Sequence, residues 1–555
     1  MSTELYPIAK LPHTTRLFRD YLAMGESAAD AAVRQWYGAE PLGSAWMKPP
    51  AVSLPQAHAA ALADVLERQS VAFGAGTATL ANIARLRAGA RAVVTGQQVG
   101  LFGGPLLTLL KAASSVARAK QATAATGVEH VPIFWLATED HDLAEIDQVA
   151  LLSKSAVETL HLNARSHGAP VGDIALGGGI DALLDQASEL LHYAPICDLL
   201  RECYAPSEGY TPTFASAFAR LMTRLFAEQG LIVMDAAGRE FHALGASTLR
   251  YAIEQAEELE TALLARTAEL EAAGYHAQVL VKPGTSLLFL VSEIDGVVHR
   301  QALRRVADGS WKAGAGNSAR SFTTAELLAI LDATPERLSP NALLRPVFQD
   351  TILPTTAYIG GPAEVAYFAQ SAVVYQRILG HITPILPRLT ATLIEPAIGA
   401  IMNHHEVSLL DAMHSSDELA QRLAARVMPI EAKRRLAAAG NALDEALAAA
   451  HDYLGGLDES LGRSAEVSAS KMRYQMNRLR RLAATFELHR EASLSKHAEA
   501  MTLHLFPNAH PQERLLAGVW FVAAWESTHG NALGLIARLV EEAADQSASH
   551  LVIRL

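Results

Sequence analysis

The chain has 555 residues, too many for one compact core, so a large catalytic unit with insertions and accessory segments is expected. Half of the residues are apolar but only 6% are aromatic, and alanine supplies much of the apolar share, which favours helix-rich packing over a sandwich or barrel. A net charge of −12 without a long basic run argues against partnership with nucleic acid or an anionic membrane, and leaves small molecules as partners.

The first residues, Met1 to Leu5, lack a basic region followed by an apolar core, and no later segment approaches the roughly 20 apolar residues of a membrane span, so a cytoplasmic protein is expected. Residues 1–90 read as a leader and helices broken at Pro49-Pro50 and Pro55. From Arg91 a short strand, Ala92-Val93-Val94, enters the glycine-rich run Thr95 to Pro105, and then Leu106, Leu109, Leu110 and Ala113 recur at helical spacing. A second strand, Val131 to Ala137, is apolar throughout and stops at Thr138-Glu139-Asp140-His141-Asp142. Cys197 and Cys203 share a helical stretch at a spacing unlike a metal pair and read as reduced packing residues. After the helical stretch Phe214 to Glu228 comes a third strand, Gly230 to Asp235. Strands alternating with helices predict an α/β fold with a Rossmann-like parallel sheet. The less regular stretches at roughly 151–215 and 260–335, with Gly177-Gly178-Gly179 and a hairpin around Asp295-Gly296, read as insertions. The core resumes with Asn341 to Pro354, the strand Thr356 to Ile359, and Gly360-Gly361-Pro362 opening a helix that holds Glu364, Tyr367 and Gln370. Both loops set Gly-Gly-Pro at the start of a helix, where glycine allows close ligand approach and proline suits the first turn.

After Pro396 two series repeat every seven residues, Leu436, Leu443, Ala450, Leu457 and Leu447, Leu454, Leu461. Their offset of four is that of a heptad seam, which Gly455-Gly456 weakens. An antiparallel coiled coil is expected, with a return helix over roughly Lys471 to Leu503; the seam either closes an intramolecular hairpin alone or also holds a homodimer. The resulting layout is a core over 1–395, a coiled coil over 396–504, and a helical segment over 505–555 that packs back on the core.

Several stretches in order along the chain carry a resemblance. They are Val94 to Gln98 with Gly100 to Pro105, Phe134-Trp135 with Glu139 to Asp142, and Gly274 to Gln278. Ser339-Pro340-Asn341 with Leu344-Arg345-Pro346, Gln349-Asp350, and Leu353 to Pro362 with Glu364 follow. Pro387 to Thr390, Leu505-Phe506-Pro507 and Gln512-Glu513-Arg514 complete the series. Together they resemble the cysteine-adding family of bacillithiol synthesis (BshC), from which the sequence departs at Val99, where family members often carry proline. The resemblance implies a Rossmann-like core, a coiled coil acting in dimerisation, and a ligase joining the carboxyl of cysteine to the amine of glucosamine-malate. A non-catalytic nucleotide- or thiol-binding accessory protein of the same pathway is the alternative.

Amide formation from a carboxylate and an ammonium in water requires activation, so ATP is expected as co-substrate, with Mg²⁺ able to accompany it; no residue is assigned as a metal ligand. Thr95, Gly96, Gln97, Gln98, Gly103 and Gly104 are candidates for phosphate or carboxylate binding, as are Gly360, Gly361 and Glu364 in the second loop. Lys111, six residues past Pro105 and so about 9 Å along a helix, is left outside the site. His141 is the candidate base, with Asp140 or Asp142 beside it; the other reading is a loop capping the next helix. Arg345 and Arg388 are candidates for gripping the malate carboxylates, with Asn341, Gln349 and Asp350 as polar lining; an arginine beside proline equally suits a structural carboxylate, and the three polar residues equally suit satisfied loop positions.

Overall fold

The computed structural model describes residues 4–25, 31–48, 54–166, 168–294, 297–306, 308–314, 319–544 and 548–555. Met1 to Thr3, Pro49-Pro50 and the hairpin tip Asp295-Gly296 lie outside the described residues.

A short strand, β1 (Glu4–Pro7), precedes the N-terminal helices, and the core sheet starts at β2 (Arg91–Gln97). Helix α1 (Leu107–Thr126) leads to β3 (His130–Leu136), and α2 (Phe214–Leu225) leads to β4 (Ile232–Asp235). The strands β5 (Thr285–Ile294) and β6 (Val297–Arg305) pair antiparallel in a separate inserted sheet. The core then resumes with α3 (Arg345–Ile352), β7 (Thr355–Gly360), α4 (Pro362–Ile378) and β8 (Ile385–Pro387).

The core strands lie in the order β8-β7-β2-β3-β4, all parallel. From β2 the chain builds outward through β3 to β4, then returns to place β7 on the other side of β2. The strand order therefore reverses between β2 and β7, the position at which parallel α/β sheets open a crevice beyond their carboxyl ends. Gln97 and Gly360, where the two glycine-rich loops begin, flank that crevice.

Both faces of the sheet are covered, as the unbroken apolar run of β3 requires. Its alternate side chains enter different layers: Phe134 and Leu136 pack with Leu109, Leu110 and Phe218, whereas Ile133 and Trp135 pack with Phe348 and Tyr358. Each such buried side chain contributes about 1.5–3 kcal/mol relative to exposure. Cys197 and Cys203 are buried free thiols in the first layer.

Beyond the core come β9 (Ala391–Ile394), the long helices α5 (Ile430–Leu457) and α6 (Glu459–Arg490), and a four-residue helix, α7 (Gln512–Leu515). Helix α8 (Ala532–Ala544) packs on α1 and leads to β10 (Ser549–Arg554), which pairs antiparallel with β1 and parallel with β9. The stretch over 505–555 is thus not helical throughout, and Glu4–Pro7 is a strand rather than part of a leader.

Helices α5 and α6 form the antiparallel coiled coil, and the turn between them is held by Asp458, whose carboxylate accepts the Ser460 N–H at 2.8 Å. The return helix starts at Glu459 rather than Lys471, so Leu461 lies across the turn from the series it was grouped with. On α5, Leu436, Gly440, Leu443, Leu447 and Leu454 are at least half-buried, while Ala450 and Leu457 are exposed. Gly455 does not weaken the seam by leaving a gap: a Cβ on Gly462 would stand 3.1 Å from its Cα, so the two helices touch backbone to backbone. No described helix is long and apolar enough to cross a membrane.

Candidate functional site

A cavity of about 670 Å³ opens at the switch point, with Gln97, Gln98, Lys111, Arg345, Glu364 and Arg514 on its wall. Its centre is Lys111, whose ammonium donates to the Gly96 carbonyl at 2.8 Å, to Gln97 Oε1 at 2.8 Å and to Glu364 Oε1 at 2.7 Å. The same Glu364 oxygen accepts the Tyr358 hydroxyl at 2.9 Å, and Oε2 accepts the Gly361 N–H at 2.6 Å. One buried ion pair therefore ties the first glycine loop to the second. Burial pushes the Lys111 ammonium below its ordinary value and Glu364 restores part of it. Lys111 reaches the site despite its distance along the helix because a helical side chain leans toward the N-terminus of its helix, back over the crevice, which corrects its exclusion on helix rise alone.

The remaining expectations divide. Gln97 and Gln98 line the cavity, as do Gly361, Glu364 and Arg345. Thr95 is buried and its hydroxyl donates to the Ile359 carbonyl at 2.9 Å, so it binds β2 to β7 rather than a ligand. Gly96 also lines the cavity, with its other side against Trp135, whose carbonyl a Cβ would meet at 2.8 Å, whereas Gly360 is closed by Ile385. The Gly103 N–H donates to the Tyr204 hydroxyl at 3.2 Å and the Gly104 N–H to the Leu101 carbonyl at 3.0 Å, which removes both as phosphate donors. Asn341 holds its own turn, its Oδ1 accepting the Leu343 and Leu344 N–H groups at 3.0 and 3.1 Å. Gln349 and Asp350 belong to a buried network behind the cavity, where Asp350 accepts the Tyr375 hydroxyl at 2.6 Å and the Gln349 amide at 3.0 Å. Burial raises the Asp350 carboxyl above its ordinary value.

Arg388 reaches the cavity wall, but both its terminal nitrogens donate to Glu513, at 2.6 and 3.1 Å. Its grip is on a structural carboxylate, and this corrects its assignment to malate. Arg345 keeps neutral partners, donating to the Tyr367 hydroxyl at 2.8 Å and to Gln349 at 3.4 Å.

The acidic end of β3 stands at the rim, and His141, Asp140 and Asp142 are not on the cavity wall. Gln98 is the link, its amide donating to Asp140 Oδ2 at 3.3 Å. The His141 Nδ1 lies 3.5 Å from Asp140 and 3.5 Å from Arg300, a buried arginine delivered by β6 and stacked on Phe289. Asp142 occupies the N-cap position of a four-residue helix but makes no capping hydrogen bond with its side chain. Glu139 turns inward to His242 at 3.1 Å. Beside it, Asp235 at the end of β4 accepts the Thr138 hydroxyl at 2.5 Å, and burial raises its carboxyl to about 6. Among the described residues no group of three or more His, Cys, Asp or Glu side chains is arranged to hold a metal.

Lys111, Tyr358, Tyr367, Arg300 and Arg514 are the site residues that sequence reasoning passed over. For Arg514 a signal was present in the run Gln512-Glu513-Arg514; for Lys111 the signal was a lysine set among apolar residues in the first turns of the helix that follows the loop.

Comparison with known proteins gives a match over nearly the whole chain. The family description "Bacillithiol biosynthesis BshC, N-terminal Rossmann-like domain" matches residues 3–389, and "Bacillithiol biosynthesis BshC, C-terminal coiled-coil domain" matches residues 391–555. A protein of Koribacter versatilis is 42% identical, covering 100% of both chains. Proteins of Solibacter usitatus and Salinibacter ruber are 35% and 31% identical, covering 98% and 93% of both chains. All three carry the name "Putative cysteine ligase BshC".

Proposed function

The chain belongs to the BshC family of bacillithiol biosynthesis, and from that membership we propose that it ligates cysteine to glucosamine-malate in the cavity at the sheet's switch point. The observation that carries this reading is the meeting of the two Gly-Gly-Pro loops across one cavity, joined by Lys111 and Glu364. Leu107 and Ala363, in the first turns of α1 and α4, line the same cavity, so two helix N-termini favour an anionic group there. These features suit an activated cysteine carboxyl, formed from ATP with Mg²⁺ as an adenylate with release of pyrophosphate, or as an acyl phosphate with release of ADP, and then attacked by the sugar amine, which expels AMP or phosphate. The amine loses a proton in that step, and His141 at the rim is the proposed acceptor, steadied by Asp140 and Arg300.

The test is the purified full chain with cysteine, glucosamine-malate, ATP and Mg²⁺, read by mass spectrometry for bacillithiol. Product with matching release of ADP or AMP is expected. Its absence under every metal condition, with synthesis restored by a second protein fraction, would replace the ligase with an accessory role. His141→Ala is expected to keep its melting temperature and lose about 10²-fold or more in turnover; undiminished turnover would place the base elsewhere.

A further inference from the structure

Four cationic side chains reach the cavity wall, and their charges are not equally matched. Lys111 is paired with Glu364, and Arg388 is paired with Glu513. Among the described residues neither Arg345 nor Arg514 has a carboxylate within ion-pair distance, and the two side-chain acceptors of Arg345 are a phenol and an amide. Two guanidiniums therefore face this space without a carboxylate in direct contact, and the charge of Glu364, already paired with Lys111, reaches both only at longer range.

The surroundings of Arg514 show how it is held there. Its two predecessors are anchors: Gln512 accepts the Leu393 N–H at 2.9 Å and donates to the Leu393 carbonyl at 2.9 Å and the His504 carbonyl at 2.7 Å. Glu513 is fixed by Arg388 and by the Ala391 N–H at 3.0 Å. The helix α7 is thus pinned inside the core, and its third residue projects where the main cavity meets a second one of about 270 Å³. Burial and the neighbouring Arg388 press the Arg514 charge below its ordinary value, a cost that a bound anion relieves.

We infer that Arg514 and Arg345 together read the two carboxylates of a dianionic co-substrate, with Arg388 acting only to position Arg514. This rests on the ligase reading above, with the malate half of glucosamine-malate as the dianion. Two planar forks on separate elements, α3 and α7, suit two separate carboxylates, each able to take a bidentate pair of hydrogen bonds, better than one tetrahedral phosphate.

Calorimetry on the full chain tests this with glucosamine-malate, its dimethyl ester, L-malate and inorganic phosphate as probes. The diacid is expected to bind the unmodified protein at least tenfold more tightly than the diester. Arg514→Gln should weaken the diacid by about 10-fold or more, the usual scale for a charged hydrogen bond, and leave the diester unchanged. Arg514→Lys, which keeps charge but loses the fork, should recover part of the loss. Equal weakening of diacid and diester, an unchanged diacid affinity, or an Arg514 dependence seen with phosphate alone would overturn the inference. The ligase reading fails separately: Arg514-dependent binding of L-malate without any ligation leaves the subsite standing, whereas normal ligation with an unchanged KM in Arg514→Gln removes the subsite and leaves the ligase.

Discussion

A lysine whose ammonium is almost wholly buried is stable only because Glu364, Gly96 and Gln97 accept all three of its hydrogen bonds. Lys111→Met leaves Glu364 buried and unpaired, so a loss of about 3–5 kcal/mol is expected in urea denaturation. The double variant Lys111→Met with Glu364→Gln should recover much of it, since no charge then remains; a double variant no more stable than the single one would show the two groups to be uncoupled. Asp235 poses the opposite case, a carboxyl whose buried charge has no cation against it among the described residues. Its value is about 6 in the fold against 3.8 in the open chain. The folded state therefore binds the proton more tightly, and its advantage is fully present below 3.8 and lost as pH rises through 6. Asp235→Asn keeps an acceptor for Thr138 and removes that charge. It should stabilise the protein by about 2–3 kcal/mol at pH above the transition and by little in acid, from about 1.4 kcal/mol per unit. Equal gains at both extremes of pH would show that charge is not the cause.

At the scale of elements, legibility in the sequence follows how locally each one is determined. The strand β3 was readable because all its positions are buried, so its run is continuously apolar, and both glycine loops were readable because turn and cavity demand the same residues. The three-stranded group of β1, β9 and β10 was not, because short strands drawn from both ends and the middle of the chain exist only through mutual pairing. Arg388 was misassigned for a related reason: its carboxylate lies 125 residues away, and an arginine beside proline looks the same whether it faces a substrate or Glu513. The coiled coil was legible in kind but not in boundary. Its heptad count passed through the turn at Asp458, because one capping residue interrupts the pattern very little. The two glycines read as a weakness there now separate into different roles. Gly456 has open space around it, so Gly456→Ala should raise hairpin stability by about 0.5–1 kcal/mol. Gly462 abuts Gly455, and Gly462→Leu should lower stability by about 1 kcal/mol net, since overpacking outweighs the gain in helix propensity. Circular dichroism melting of the two variants checks the opposite signs; a stabilised Gly462→Leu would mean that the helices can part at no cost.

For the whole molecule, the coiled coil leaves one apolar stripe uncovered. Leu443, Leu447 and Leu454 are at least half-buried on the seam of the hairpin, whereas Met472, Leu479, Leu482 and Phe486 on α6 are exposed by 50, 54, 57 and 65%. Their spacing of seven, three and four residues lines them along a single face, which is the pattern of a second heptad seam. A contiguous apolar face of this kind is uncommon on a monomer, and a second copy is the expected occupant because the same stripe in antiparallel repetition supplies its own complement. Leu479→Glu combined with Leu482→Glu should convert dimers to monomers in light scattering with helical content unchanged. Leu447→Glu combined with Leu454→Glu should instead melt the hairpin, since those side chains serve the fold within one chain. The cavity wall, including Arg514, comes from one chain, so the dissociated Leu479→Glu, Leu482→Glu protein should retain its turnover per chain within about twofold, on the additivity expected of distant sites. Light scattering that still reports a dimer would move the interface off the stripe, and a monomer with no turnover would mean that the partner shapes the cavity through the base of the coiled coil.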